Sequence, residues 1–158
     1  MAISLDLIDV KLLEELQNNA DRPNVELARI VGLSPAATLH RVRRLKESGI
    51  IRNVVARLDS AEAGFPLQVY VAVTLGQHGE AAHRRFGEAI RAMPEVISAD
   101  WVTGETDAML LVVAREVAEL QRVLVRLSTR GGAARVMTLL RLEELKPSSP
   151  LPLQPTSG

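Results

Sequence analysis

Apolar residues recur at intervals of three and four along the first part of the chain. A stripe across residues 5–16 predicts an amphipathic helix. A shorter stripe predicts a second helix at residues 25–31, with Asn24 as its cap. Gly32 follows at once, and glycine is the residue that best tolerates a left-handed turn after a helix. The pattern therefore begins with two helices, the second closed by a glycine turn.

A third helix is predicted to begin directly after that turn. Ser34 is a natural N-cap, and Pro35 stands at the first helical position, where its missing N–H costs nothing. The helix is expected to run to about Ser48, with residues 50–58 extended as a wing or as a strand that leaves the domain. Its predicted inner stripe is Leu39, Val42 and Leu45. Two helices joined by a short glycine turn have the helix-turn-helix layout, so the third helix is the expected recognition helix.

The second half of the chain alternates between the two periodicities. Strands are predicted at residues 67–75, 96–103, 107–114 and 135–146, and helices at residues 80–93 and 117–128. This β-α-β-β-α-β order is typical of a ferredoxin-like sandwich, an antiparallel sheet covered by two helices on one face. The other face is apolar and needs burial, which predicts a homodimer.

The fold class expected for the whole chain is α+β, with two small domains. Residues 1–58 form a winged helix-turn-helix domain, residues 59–66 a linker, and residues 67–146 the ferredoxin-like domain. Residues 147–158 are rich in proline and carry no charge, which predicts a flexible tail.

Charge distinguishes one segment from the rest of a chain that has no net formal charge. Residues 40–57 carry six arginines and lysines against Glu47 alone. There is no cysteine, which excludes disulfides and thiolate chemistry. No leader or membrane-spanning stretch is predicted, and a cytoplasmic location is expected.

The basic third helix is the predicted DNA-binding site. Residues near the start of a recognition helix meet base edges, whereas basic residues farther along hold phosphates. The groove set, beginning at the N-cap Ser34, consists of Pro35, Ala36, Thr38, His40 and Arg41. The phosphate and flanking set consists of Arg43, Arg44, Lys46 and Arg52.

Residues 24–53, with the runs VGLSP and RVRRL, resemble the signature of the Lrp/AsnC family of transcription regulators. The run VTGETD at residues 102–107 resembles that family's effector hairpin. The resemblance implies a sequence-specific DNA-binding regulator in which the ferredoxin-like domain assembles homodimers, tetramers or octamers and binds an amino acid. The effector residues carried over by position are Val102, Thr103, Gly104, Thr106, Asp107 and Thr138.

The chain also departs from the family pattern. The hairpin lacks aromatic neighbours, and Leu139 stands where a serine or threonine often follows Thr138, which predicts a less polar pocket. An alternative is an architectural DNA-binding protein that needs no effector. An enzyme is not expected, because no catalytic constellation is present, and neither a cofactor nor a metal is predicted. His78 and His83 lack a third ligand residue nearby.

Overall fold

The computed structural model describes residues 4–156 and divides them into two compact units. One unit comprises residues 4–56 together with 146–156, and the other comprises Arg57–Leu145. Within the described range, no helix is both long enough and apolar enough to cross a membrane.

Three helices form the first unit, as predicted: α1 (Leu7–Asn18), α2 (Asn24–Val31) and α3 (Pro35–Glu47). Gly32 ends α2 at a φ of 70°, in the left-handed region that favours glycine. Ser34 caps α3, its Oγ accepting a hydrogen bond of 3.2 Å from the Ala37 N–H. Asn24 is not a cap, because it already lies inside α2, and its amide donates to the Pro35 carbonyl over 2.7 Å. The turn is thereby tied to the start of α3.

The predicted wing does not form a strand. No helix or strand is assigned from residue 50 to residue 66, and the Ile51 N–H donates to the Leu45 carbonyl at the end of α3. At the linker, the Asp59 carboxylate accepts from the N–H groups of Ala61 and Glu62, so the chain makes a local turn there.

The described part of the predicted flexible tail, residues 147–156, packs against the first unit instead, while residues 157–158 lie outside the described range. Leu153 contacts the core formed by the buried leucines and valines of α1, α2 and α3. The Leu151 N–H donates to Gln17 over 2.7 Å, and Leu5 and Thr156 exchange two hydrogen bonds. A proline-rich composition removes backbone donors, but it does not prevent an isolated leucine from reaching an apolar surface.

The second unit has the predicted β-α-β-β-α-β order. Its elements are β1 (Leu67–Leu75), α4 (Glu80–Arg91), β2 (Val96–Trp101), β3 (Ala108–Ala114), α5 (Val117–Thr129) and β4 (Ala133–Leu140). All neighbouring strands are antiparallel, in the sheet order β2-β3-β1-β4. The last strand ends at Leu140 rather than near residue 146.

The two helices pack on one face of this sheet, as expected. Val69, Val71 and Val73 of β1 form the core there with Phe86 of α4 and Leu127 of α5. Side chains alternate along a strand, so the intervening residues point to the opposite face. We call this the open face, and its apolar members include Tyr70, Ala72, Met109, Leu111, Met137 and Leu139.

Candidate functional sites

The inner stripe of α3 differs from the predicted one. Thr38, at 0% exposure, lies inward with Val42 and Leu45, whereas Leu39 is 49% exposed. Thr38 can be buried because its hydroxyl donates to the Ser34 carbonyl over 3.0 Å, which satisfies the polar group without water. The predictions that Thr38 faces a groove and that Leu39 belongs to the core are therefore wrong.

The side chain of Arg41, which was predicted to enter the groove, is directed towards α1 instead. Its Nη1 donates to Asp6 over 2.7 Å and to Asp9 over 2.9 Å, which joins α3 to α1. Asp9 is only 1% exposed and also accepts a hydrogen bond from Arg44. A buried carboxylate needs such partners, so Arg41 and part of Arg44 serve the packing of the unit.

Electrostatics and capping reinforce each other at the start of α1. The Asp6 carboxylate accepts from the Asp9 N–H over 2.8 Å and thereby caps the helix. That backbone hydrogen bond, followed by the bond from Arg41, holds the pKa of Asp6 below its ordinary value. The hydrogen bonds to Asp6 and Asp9 in turn raise the pKa of Arg41.

The remaining predicted DNA-binding residues are available on the surface. Residues 36, 40 and 43 follow one another at helical spacing on the outer face of α3, and the side chains of the whole set are exposed. The exposed members are Ser34, Pro35, Ala36, His40, Arg43, Arg44, Lys46 and Arg52. Ala37 is exposed as well, and Leu39 shares this surface although it was predicted to face inward. The exposure of Leu39 was not predictable from its hydrophobicity, since a leucine three residues before Val42 fits an inner stripe.

The hairpin between β2 and β3 is fixed by its backbone. The Val102 N–H donates to the Asp107 carbonyl, and the Asp107 N–H donates to the Val73 carbonyl. One carboxylate oxygen of Asp107 accepts from the Leu75 N–H over 2.7 Å, while the other lies 3.8 Å from Nδ1 of His78. Asp107 therefore anchors the hairpin to the end of β1. Gly104, at a φ of 118°, is exposed at the tip beside Thr103.

A small pocket opens beside the hairpin on the open face. Its volume is about 60 Å³, and Thr106 and Glu105 line it together with Thr74, Arg135 and Met137. Thr138 does not join them, because it is paired with Val71 and so lies on the opposite face of β4. The structure thus brings the hairpin residues together with Arg135 and leaves Thr138 apart.

A larger pocket of about 340 Å³ lies where β1 and α5 end. Leu75, Gly76 and Gln77 line one side, and Gly131 and Gly132 line the other. Because Leu75 also holds the Asp107 carboxylate, this pocket adjoins the hairpin. The end of β1 was predicted correctly, but Leu75, Gly76 and Gln77 were not predicted to line a pocket. The only local signal was Gly76, which follows the strand directly.

Among the described residues, no group of three or more His, Asp or Glu side chains is arranged to hold a metal ion. His83 instead stacks on Trp101, with ring centroids 4.6 Å apart.

Two family models match the chain, one for each half. Residues 5–52 match a winged helix-turn-helix DNA-binding model, and residues 68–151 match the Lrp/AsnC ligand binding domain. The first match contains α1, α2 and α3, and the second contains the sheet, except for Leu67, with both of its helices.

Curated relatives match over nearly the full length. The HTH-type transcriptional regulator AldR of Mycolicibacterium smegmatis is 36% identical, over 95% of this chain and 88% of its own. The leucine-responsive regulatory protein of Rhizobium meliloti is also 36% identical, over 91% of this chain and 93% of its own.

Solved structures agree with the curated relatives. A transcriptional regulator from Neisseria meningitidis, in complex with L-Met, superimposes with a TM-score of 0.88 at 33% identity, covering 94% of this chain and 97% of that one. An AsnC family regulator from Agrobacterium tumefaciens gives a TM-score of 0.86 at 28% identity, with the same coverage. The chain therefore belongs to the Lrp/AsnC family of transcriptional regulators, which combine a DNA-binding helix-turn-helix with a ligand-binding domain rather than an enzyme active site.

Proposed function

We propose that the chain is a homo-oligomeric regulator that reads DNA through the outer face of α3, in the cytoplasm. His40 and Arg43 are the candidates for base-edge contacts in the major groove, because they extend from the exposed face of the helix. Arg43 thus takes the groove position expected of Arg41, instead of the phosphate contact that the sequence predicts for it. Arg44, Lys46 and Arg52 supply positive charge to the phosphates on either side. The observation that carries this proposal is that a capped, firmly packed helix leaves these cations exposed.

The proposed effector is an amino acid bound beside the hairpin at residues 102–107. Thr103, Gly104 and Glu105 are exposed, and the backbone N–H groups of such a turn suit a carboxylate, while the Asp107 oxygen near His78 suits an ammonium group. Arg135, at the rim of the small pocket, is a further candidate for the carboxylate. The relative from Neisseria meningitidis, which was crystallised with L-Met, supports this chemical class.

The proposed assembly is a dimer in which the open faces of two sheets meet, with dimers combining further into tetramers or octamers. Tyr70, Met137 and Leu139 are large apolar side chains that remain exposed on this face. Burying them against a second copy removes apolar surface from water at about 25 cal/mol per Å². Because the small pocket opens on the same face, a partner would also cover the hairpin site.

A matched pair of arginine variants tests the DNA-binding role. Fluorescence anisotropy with a duplex selected from a random library should give weaker binding for Arg43→Ala, by about fivefold or more, since a lost base contact costs roughly 1–3 kcal/mol. Urea unfolding of this variant should match the wild type, because Arg43 is exposed.

Arg41→Ala is the comparison variant. It should lower the free energy of unfolding by about 1–3 kcal/mol, because it removes a partner of the buried Asp9 carboxylate. Equal DNA affinity for Arg43→Ala and the wild type would contradict the assignment of Arg43.

Calorimetry with the twenty amino acids tests the effector, and an absence of heat for all of them would favour the architectural alternative.

A further inference from the structure

We propose that Leu39 is a specificity-determining residue that recognises the 5-methyl group of a thymine in the operator. The inference rests on the proposed function and extends it from general DNA binding to the chemistry of one base position.

Leu39 has no place in the protein core. The inner side of α3 is already filled by Thr38, Val42 and Leu45, all buried, while about half of the Leu39 surface is exposed. Leu39 lies one turn from Ala36 and from Arg43 on the outer face of the helix. Together with the exposed Pro35 and Ala36 it forms an apolar patch on the first half of α3.

The cations around this patch identify DNA as the surface that covers it. His40 and Arg43 flank Leu39 on the same helix, and Arg44 and Lys46 follow within two turns. A second protein copy would have to place its own surface against these charges. A nucleic acid brings phosphates to them instead, which makes it the complementary partner.

Only one group in the major groove is suited to a leucine. The base edges present hydrogen-bond donors and acceptors, with the thymine C5-methyl as the single apolar group. A leucine against a polar edge would leave that edge without a hydrogen bond, which is unfavourable. Leu39 is therefore expected to favour a thymine in each half-site and to disfavour a cytosine there.

Replacement of thymine by deoxyuridine tests this contact, because it removes the methyl group and leaves the base-pairing edge unchanged. Each thymine of one half-site of the selected duplex is replaced in turn, and binding of the full-length protein is measured by anisotropy. At one position the wild type should bind about fourfold more weakly, the ratio that corresponds to about 0.8 kcal/mol for burial of one methyl group. Leu39→Ala should bind the thymine and deoxyuridine duplexes equally at that position.

Leu7→Ala is the matched control, since Leu7 is 75% exposed on α1 and lies outside the recognition helix. It should retain the fourfold preference for thymine. A preference that persists in Leu39→Ala, or that is absent from the wild type at every thymine, would overturn the role of Leu39. Failure of the wild type to prefer the selected duplex over random DNA would instead refute the proposed function.

Discussion

At the scale of single residues, the first unit depends on one buried carboxylate and the cations that neutralise it. Asp9 accepts hydrogen bonds from Arg41 and Arg44 of α3, and Asp6 shares Arg41 while it caps α1. These contacts set the position of the recognition helix against α1. Arg41, and in part the still exposed Arg44, are therefore engaged within the protein although a basic motif assigns both to DNA.

This arrangement predicts an acid dependence that Asp6→Asn reduces. A pKa held below its ordinary 3.8 in the folded state means that the Asp6 carboxylate stabilises the fold above about pH 4, and that this contribution is lost as the pH falls through the lowered pKa. Asparagine still caps a helix but carries no charge. The variant should therefore be less stable than the wild type near neutral pH and nearly equal to it in acid.

Urea unfolding followed by circular dichroism across this pH range measures the difference. Trp101, the single tryptophan, lies in the other unit, so its fluorescence follows the unfolding of that unit in the same samples. Asp21→Asn, at an exposed loop position, is the control and should follow the wild type at every pH. A constant gap between Asp6→Asn and the wild type, down to the lowest pH, would count against the proposed linkage.

At the scale of the elements, the turn between α2 and α3 depends on a backbone conformation. Gly32 adopts a φ of 70°, and a Cβ built there would have nothing within 4 Å. The cost of a side chain is thus conformational rather than steric. The same turn is held from the other side by Asn24, whose amide binds the Pro35 carbonyl.

Gly32→Ala is expected to lower the free energy of unfolding by about 1–2 kcal/mol, the usual penalty for a left-handed residue with a Cβ. Gly32→Asn should cost less, because asparagine tolerates this region better. Gly87→Ala is the contrasting control, since Gly87 lies within α4, where alanine is favoured over glycine. This variant should raise the free energy of unfolding by about 0.5–1 kcal/mol. Urea unfolding would reveal an error in this account if both alanine variants shifted stability in the same direction.

The elements were largely predictable from the sequence because their signals are local. Ser34 and Pro35 define the start of α3, and the alternation of apolar residues defines the strands. The inward side of α3 was not predictable, since hydrophobicity ranks Leu39 above Thr38 and the deciding hydrogen bond exists only once the helix is formed. The ion pairs of Arg41 join residues more than thirty positions apart, and no local pattern encodes them.

At the scale of the whole molecule, the open face carries large apolar side chains that remain exposed within their own unit. On this face Tyr70 of the inner strand β1 is paired with Leu139 of the edge strand β4. Apolar side chains of this size are rarely left exposed together in a monomer. The sheet therefore carries the proposal of a symmetric dimer.

Leu139→Arg is expected to convert the proposed dimer into a monomer, because it would place a charge in the apolar contact. Sedimentation velocity measures the change directly. Val125→Arg introduces the same charge at a position that is also exposed, on α5, and should leave the dimer intact. An unchanged sedimentation coefficient for Leu139→Arg would contradict the assignment of the dimer interface to the open face.

The hydrogen bonds that join Leu5 to Thr156 bring the two ends of the described chain together. In the order of the chain, the second unit is therefore an insertion within the first, DNA-binding unit. The insertion begins after Ala56 and ends before Lys146. A chimeric regulator should accordingly exchange the segment between these two positions and keep the last residues with their own first helix. A fusion that cut only once, after the third helix, would separate Leu153 from the core to which it belongs.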